Sequence, residues 1–472
     1  MEIYNTLGRR LEEFVPRDQG RVGMYVCGPT VQSEPHLGHG RVAVVFDVVA
    51  RYFEWRGFDV TYVCNVTDVE DKIIAAASEA GETMEERAAR MVARFHALYE
   101  ALGNRPPTIE PYATRHIPEM IEMIQALIGR GLAYASDNGD VYFRVRDLGS
   151  GYGKLSGRNV DDLRSGARID VNEAKEDPLD FALWKAAKPG EPAWDAPWSS
   201  GRPGWHIECS AMASKYLGPN FDIHGGGSDL IFPHHENEIA QFEGATGEGF
   251  ARYWMHNGMV NLGGEKMSKS TGHLVELADA VERYGGIAIR LLYLRAHYRS
   301  PLEFTDELMS EAVTALTRIG RFFDRAPRVD DSHPDPEVLR KFTEAMEADF
   351  GTPDAIGVVF DAIRDANRLL DEGGEADSLV AAVHEIVDVL GIRPPVLSED
   401  FDDIAFAVAE LAGEVGLRLG ESTEATLDAL IARRSEARAT RDFLISDRIR
   451  DGLNRLGVAI EDGADGTRWY RV

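Results

Sequence analysis

With 472 residues, 44% of them apolar, and a formal net charge of −28, the chain has a globular composition and the length for two to four domains. That acidity excludes broad, non-specific nucleic-acid binding but leaves room for a local basic face. No run approaches the ~18–20 apolar residues of a membrane span, and Met1-Glu2-Ile3-Tyr4-Asn5 lacks the order of a secretory signal, so the expectation is a cytoplasmic protein that touches no membrane.

Residues 22–27 predict a buried strand and residues 35–56 an amphipathic helix. Val45, Val48, Val49, Tyr52 and Phe53 supply the helix's apolar side, and Gly57 is its stop. Residues 59–64 predict the next strand. This is a β-α-β unit, and such sheets bind ligands beyond the carboxyl ends of their strands. The glycines of a dinucleotide fingerprint and the Walker A pattern are both absent, so a nucleotide site has to be of another kind.

Helical patterns follow at about 82–102 and 116–130, then a hairpin turn at Asp137-Asn138-Gly139-Asp140. Residues 147–203 are rich in Gly, Pro and Asp and only weakly periodic, which suggests an insertion packed beside the sheet. A helix is expected at 205–217 and a strand ending at Ile223, before His224-Gly225-Gly226-Gly227-Ser228-Asp229. Another helix is expected from near Pro233, and a strand over roughly 253–261 leads to Lys266-Met267-Ser268-Lys269-Ser270. Beyond residue 304 the pattern is almost wholly helical, with a loop near Pro327 and Asp330–Pro334.

Two stretches carry chemistry. The first is Cys27-Gly28-Pro29-Thr30-Val31-Gln32-Ser33-Glu34-Pro35-His36-Leu37-Gly38-His39, between the first strand and its helix. His36 and His39 are three apart and share one face of the first turn. A helix N-terminus already offers N–H groups and partial positive charge to phosphate, and Gly38 lets a flat ring approach the backbone. The second stretch holds Lys266 and Lys269. Taken alone, two histidines near a helix start are commonly surface or core residues, and two loop lysines are commonly just solvated. Their order matters more. One element follows the first strand of the sheet and the other follows the last, so both can face one edge and surround a phosphate.

The three cysteines, Cys27, Cys64 and Cys209, do not form a disulfide framework. Their spacing does not reveal a metal site, and buried cysteines often behave as small hydrophobes. His234 and Glu238 are four apart on a predicted helix and share a face, which is equally the pattern of a solvated helix.

The chain resembles the class I aminoacyl-tRNA synthetases, and among them the cysteinyl branch. Residues 36–39 are similar to that family's HIGH element, with Leu37 for isoleucine, and residues 266–270 match its KMSKS loop without change. Residues 24–30 (Met-Tyr-Val-Cys-Gly-Pro-Thr), 204–212 (Gly-Trp-His-Ile-Glu-Cys-Ser-Ala-Met) and 222–241 resemble the cysteinyl branch in particular. The resemblance implies an α/β fold: a Rossmann-like parallel-sheet catalytic domain with an inserted connective segment, an all-helical C-terminal region and a small anticodon-binding segment. The implied divisions are 1–110 and 204–262 for the two catalytic halves, 111–203 for the insertion, 263–303 for the lysine loop and stem-contact region, 304–400 for a helical bundle and 401–472 for the anticodon-binding region.

The same resemblance implies ATP with Mg²⁺, L-cysteine and tRNA(Cys) as partners of a monomer. It assigns His36, Gly38, His39, Lys266 and Lys269 to ATP. It assigns one zinc ion to Cys27, Cys209, His234 and Glu238, and the cysteine pocket to Gly28, Thr67, Trp205, His224 and Asp229. Cys64 matches no ligand and is expected in the core. Between Ile431 and Arg455 arginines outnumber acids, and Trp469 adds an aromatic ring, so Arg433, Arg434, Arg438, Arg441 and Trp469 are expected to meet RNA. The alternative for that helix is a face of intrahelical ion pairs.

Some positions depart from the family pattern. Gln32-Ser33-Glu34 puts an acid near the phosphate site, Glu70 replaces a common Asp, and Ile445-Ser446 stands where Ala-Asp is common. Mycothiol-pathway ligases resemble these enzymes and also activate cysteine, passing it to an amino sugar. They carry a glycine-rich signature where this chain reads Ala174-Lys175-Glu176-Asp177-Pro178, and they lack the full helical tail. A non-catalytic RNA-binding relative is the other alternative, and it has little reason to keep both phosphate motifs and all four ligands.

Overall fold

The computed structural model describes residues 1–159, 175–262, 265–266, 275–327, 332–394, 404–418, 420, 422–440, 442–463 and 466–471. The chain forms two compact units, Met1–Pro394 and Pro395–Val472. Among the described residues no helix is long and apolar enough to cross a membrane.

The larger unit is built on a parallel four-stranded sheet. Its order is Ala251–Asn257, Phe221–Gly227, Arg21–Val26 and Asp59–Cys64. The helix Leu37–Trp55 connects the last two of these strands, and its Val44, Val48 and Tyr52 are buried in the core. It begins at Leu37 instead of the expected Pro35, because His36 caps it.

The glycine run after Ile223 is not a loop. The strand continues through Gly227, and a Cβ on Gly225 would lie 2.3 Å from the Phe46 ring. The missing side chains let the histidine helix lie flat against the sheet. The strand expected at 253–261 is two: Ala251–Asn257 stays in the sheet, while Val260–Leu262 pairs with Glu265–Lys266 and Leu302–Phe304.

Two buried arginines tie this layer together. Arg41, wholly buried, donates to the carbonyls of Gly258, Met259, His297, Tyr298 and Ser300. Arg290 pairs with Asp47 at 2.5 Å and donates to the Leu390 carbonyl, joining the histidine helix to the helix Asp377–Leu390.

The insertion carries an antiparallel sheet that its weak periodicity hid. Among the described residues its order is Ala133–Ala135, Val141–Phe143, Phe181–Ala186, Ser200–Pro203 and Trp194–Asp195. The helices Asp306–Arg325, Pro336–Glu347, Thr352–Asp371 and Asp377–Leu390 follow as expected from the amphipathic pattern.

In the smaller unit, the helices Ala405–Glu414, Thr423–Ala439 and Phe443–Arg455 enclose Val408, Leu427, Leu430, Ile449 and Leu453. A hairpin, Val458–Gly463 with Gly466–Arg471, lies where only helix and tail were expected.

Candidate active site and metal centre

Cys27 follows the strand Arg21–Val26, and Cys209 lies in the helix Trp205–Leu217. Glu238 sits in the first turn of Glu236–Thr246. His234 lies in the turn before that helix, not inside it, because Phe232 leaves helical geometry (φ −142°, ψ 131°). Their i,i+4 relation survives: His234 Nε2 is 3.0 Å from Glu238 Oε1. Cys27 Sγ is 3.3 Å from the same oxygen. All four residues are buried, and one ligand atom from each lies within 4.8 Å of all the others.

The electrostatics are those of a site made for a cation. Burial pushes the Cys27 thiol well above its ordinary value. Against burial, the hydrogen bond from Cys27 and the His234 imidazole bring the Cys209 thiol down to about 6. Against burial, Glu238 carries His234 up to about 10, while His224 and His234 hold the Glu238 carboxyl well below the carboxylate range. Two sulfurs, one imidazole and one carboxylate, closed off from solvent, are a donor set that suits zinc.

The residues around the quartet brace it. His224, fully buried, sits 2.8 Å from Glu238 Oε2 and so orients that carboxylate. Cys27, His224, His235 and Glu238 form a second close group that shares two members with the first. His206 Nδ1 lies 2.7 Å from His234 Nδ1. The Trp205 ring packs on His234 with centroids 4.2 Å apart. Gly28 donates its N–H to Asn65 Oδ1 at 2.9 Å, and a Cβ there would fall 1.6 Å from the Asn65 carbonyl oxygen. Thr67 is buried and donates to Glu208 Oε2 at 2.9 Å. Asp229 is exposed in the short turn Ser228–Leu230. Cys64 is half-buried, and burial pushes its thiol up to about 12.

The histidine pair starts the next element. His36 is the N-cap of Leu37–Trp55: its Nδ1 accepts from Gly38 N at 3.1 Å, and His39 Nδ1 accepts from His36 N at 3.2 Å. The two rings stack 3.7 Å apart. With each Nδ1 committed as an acceptor, the neutral imidazoles carry their protons on Nε2 as donors. Gly38 is half-buried between them. Glu34, the acid near this site, is drawn to Arg94 at 3.1 Å.

Lys266 is described only in its backbone, which pairs with Asn261, and Lys269 lies outside the described residues. The chain on the far side returns to the histidines, where His36 and Glu276 form a bridge.

In the smaller unit, Arg438 is exposed, and Arg433 pairs with Glu436 at 2.8 Å. Arg434 is buried, and the Trp469 indole donates to Asp428 at 2.7 Å. Arg441 lies outside the described residues.

Reasoning from motifs missed Glu208, Asn65, His206 and Arg41. Glu208 had a signal: positions 205, 208 and 209 share one helix stripe, and two of them were already candidates. Arg41 had none, since its partners are backbone carbonyls.

Known proteins match this chain along its length. Residues 13–314 match the class I (C) tRNA synthetase catalytic domain, 341–393 the DALR domain and 421–469 the cysteinyl-tRNA ligase anticodon binding domain. The chain is 50% identical to a cysteine–tRNA ligase of Thioalkalivibrio sulfidiphilus, covering 100% of both chains. It is 49% identical to one from Pseudomonas fluorescens (strain Pf0-1), covering 99% of both. Among solved structures, methionyl-tRNA synthetase of Mycobacterium tuberculosis bound by methionyl-adenylate matches 85% of this chain and 98% of its own, with a TM-score of 0.60 at 17% identity. A leucyl enzyme of Agrobacterium radiobacter K84 in a ternary complex matches 81% of this chain and 85% of its own, with a TM-score of 0.56 at 12% identity. These two likenesses speak to the fold alone, whereas the matches of sequence place the chain in a family: it belongs to the cysteinyl-tRNA ligases, within the class I aminoacyl-tRNA synthetases.

Proposed function

We propose that this enzyme activates L-cysteine with ATP and Mg²⁺ to cysteinyl-adenylate and transfers it to the terminal adenosine of tRNA(Cys), selecting its substrate at a zinc ion held by Cys27, Cys209, His234 and Glu238. The observation that supports this most strongly is the buried quartet with its ligand atoms within 4.8 Å of one another. Zinc bound there supplies a soft Lewis acid that takes a thiolate far better than a hydroxyl. Serine differs from cysteine by one atom, and rejecting it ~10⁴-fold requires about 5.5 kcal/mol, beyond what shape alone provides.

The chain's own residues do the rest. The cysteine carboxylate attacks the α-phosphate, and the Nε2–H donors of His36 and His39 stabilise charge that develops on the phosphate oxygens. Gly38 leaves room for the adenine-bearing nucleotide beside the helix. Lys266 and Lys269 neutralise the departing pyrophosphate. Gly28, Thr67 and Trp205 wall the amino-acid pocket, His224 holds the Glu238 carboxylate in place, and Asp229 stands at the mouth. The 2′-hydroxyl of the terminal adenosine then attacks the adenylate carbonyl, the bond from the acyl carbon to the phosphate oxygen breaks, and AMP leaves as the ester forms and the hydroxyl gives up its proton. Arg433, Arg438 and Trp469 offer RNA-facing surface, Arg434 supports them from inside the smaller unit, and Arg441, outside the described residues, is assigned to RNA from the sequence alone. The enzyme acts as a cytoplasmic monomer.

The test is charging of a tRNA(Cys) transcript with cysteine, run beside glucosaminyl-inositol as a competing acceptor. Exclusive transfer to tRNA is expected, in keeping with the match to the anticodon binding domain at residues 421–469. Transfer to the amino sugar contradicts the assignment, as does zinc-free protein that still rejects serine.

A further inference from the structure

Arg41 is fully buried on the helix that begins with His36 and His39, two residues after His39. Arg202 and Arg290 are buried alike, but each has a carboxylate: Asp71 and Glu191 for the first, Asp47 for the second. Arg41 has none among the described ion pairs. Its two terminal nitrogens donate only to main-chain carbonyls, and its Nε has no partner among the described residues. A buried charge held by carbonyls alone forgoes the attraction of a counter-charge. What such a group does well is place backbone, because a guanidinium is a rigid planar fork and each of its bonds fixes one carbonyl.

The carbonyls belong to two segments. Gly258 and Met259 form the crossover by which the chain leaves the parallel sheet at Asn257 and enters the small sheet at Val260. Arg41 Nη1 donates to both, at 2.9 and 3.0 Å. Nη2 donates to His297, Tyr298 and Ser300, at 3.2, 3.4 and 2.7 Å, just before the strand Leu302–Phe304. The segments are also fastened to each other. Gly258 N donates to the Tyr298 carbonyl at 2.7 Å, and Leu302 N to the Met259 carbonyl at 2.9 Å. No side chain fits at the crossover, since a Cβ on Gly258 would lie 2.4 Å from the Ser300 carbonyl oxygen.

From that grip the path to the lysine motif is short. Val260–Leu262 runs parallel to Leu302–Phe304 and antiparallel to Glu265–Lys266, with Asn261 opposite Lys266. The Lys266 backbone is thus set two residues and one strand pairing away from Met259. His39 is two residues of helix away from Arg41. One side chain therefore ties the root of the histidine pair to the root of the lysine strand.

We propose that Arg41 is a positioning residue for adenylate formation: by gripping the 258–259 crossover it fixes the Lys266 strand against the helix that presents His36 and His39. This rests on the reading that those histidines and Lys266 meet the phosphates of ATP. Phosphoryl chemistry is sensitive to such spacing, and a misplacement of about 1 Å costs on the order of 10²-fold in rate.

The experiment measures cysteine-dependent pyrophosphate exchange by the zinc-loaded full chain, per folded molecule, below the unfolding transition of every variant. Arg41→Lys keeps the charge but replaces the fork with a point donor, and Arg41→Met removes both. Arg41→Lys is expected to lose ~10²-fold in kcat, with KM for cysteine changed by less than about threefold. Arg41→Met is expected to lose at least as much, and the Lys variant carries the test if the Met protein does not fold. Lys266→Ala is expected to lose ~10²-fold by itself. Adding Arg41→Lys to it is expected to cost no more than about threefold further, because Arg41 acts through the lysine strand. Asp47→Asn, on the same helix, disturbs Arg290 and its Leu390 and Leu102 carbonyls instead of the crossover. It is expected to unfold more readily at unchanged kcat. Arg41→Lys with full kcat overturns the proposal, and so does an equal loss of kcat in Asp47→Asn. Lys266→Ala with full exchange overturns the reading of the lysine, and the proposal with it. A loss in Lys266→Ala that multiplies with that of Arg41→Lys overturns the proposal alone.

Discussion

His36 and Glu276, 240 positions apart in the sequence, meet as an antiparallel backbone bridge, reinforced by Leu277 N donating to the Pro35 carbonyl at 2.9 Å. On the other side of the lysine motif, Lys266 is paired to Asn261. Both ends of that motif are therefore rooted beside the histidine helix, in keeping with the nucleotide site proposed above. The His36 side chain also caps the helix, which allows its two roles to be separated. His36→Asn keeps a good cap and His36→Ala does not, so only the Ala variant is expected to lose about 1 kcal/mol of stability. Both are expected to lose ~10²-fold in kcat for cysteine-dependent pyrophosphate exchange. An Asn variant with full exchange activity removes His36 from the chemistry.

Acid stability reports on the buried histidines. Burial takes His256 from 6.5 down to about 3, and it lies 2.8 Å from both His235 and Thr6. Between these values the unfolded chain binds a proton that the folded chain refuses. Stability is then fully present above pH 6.5 and lost as pH falls toward 3. His256 alone contributes a slope of about 1.4 kcal/mol per pH unit there. Denaturant unfolding at several pH values is expected to show this slope, and His256→Gln to remove that share of it. An unchanged slope in the variant contradicts the assignment.

The Arg290–Asp47 pair is wholly internal. Asp47→Asn leaves a buried guanidinium without its counter-charge and is expected to cost about 3–5 kcal/mol in equilibrium unfolding. A loss below about 1 kcal/mol means the Leu390 and Leu102 carbonyls already suffice for Arg290.

Two arginines of one helix are expected to behave differently. Arg438 is exposed and Arg434 is buried. Arg438→Ala is expected to weaken tRNA binding and reduce the slope of log affinity against log salt by roughly 0.7–1. Arg434→Ala is expected to act on the stability of the smaller unit through lost packing, leaving the salt slope in place. Filter binding across salt concentrations separates the two, and identical slopes for both variants contradict the division.

Regular patterns were readable before the fold was known. The strand over 59–64 and the helix over 205–217 stand where alternation and helical period put them. Other features were hidden for physical reasons. Gly225 looked like loop because glycine is common in turns, yet it is strand because Phe46 needs the space. The insertion sheet has strands of two to six residues, too short for a period to emerge. Cys27 and Cys209 showed no ligand spacing, since the sheet and two helices bring them together only in three dimensions. Glu208 reads in sequence as one more helix acid, and only its burial and its unmatched oxygen mark it out.

If one metal, held by two cysteines, a histidine and a glutamate, recognises the substrate's sulfur, its sulfur coordination rises when cysteine binds. Zinc X-ray absorption on the loaded protein, with and without L-cysteine, counts those sulfurs. Two sulfur ligands are expected without cysteine, three with it, and no change on adding serine. A sulfur count that stays at two with saturating cysteine, or protein that retains no stoichiometric zinc, contradicts it.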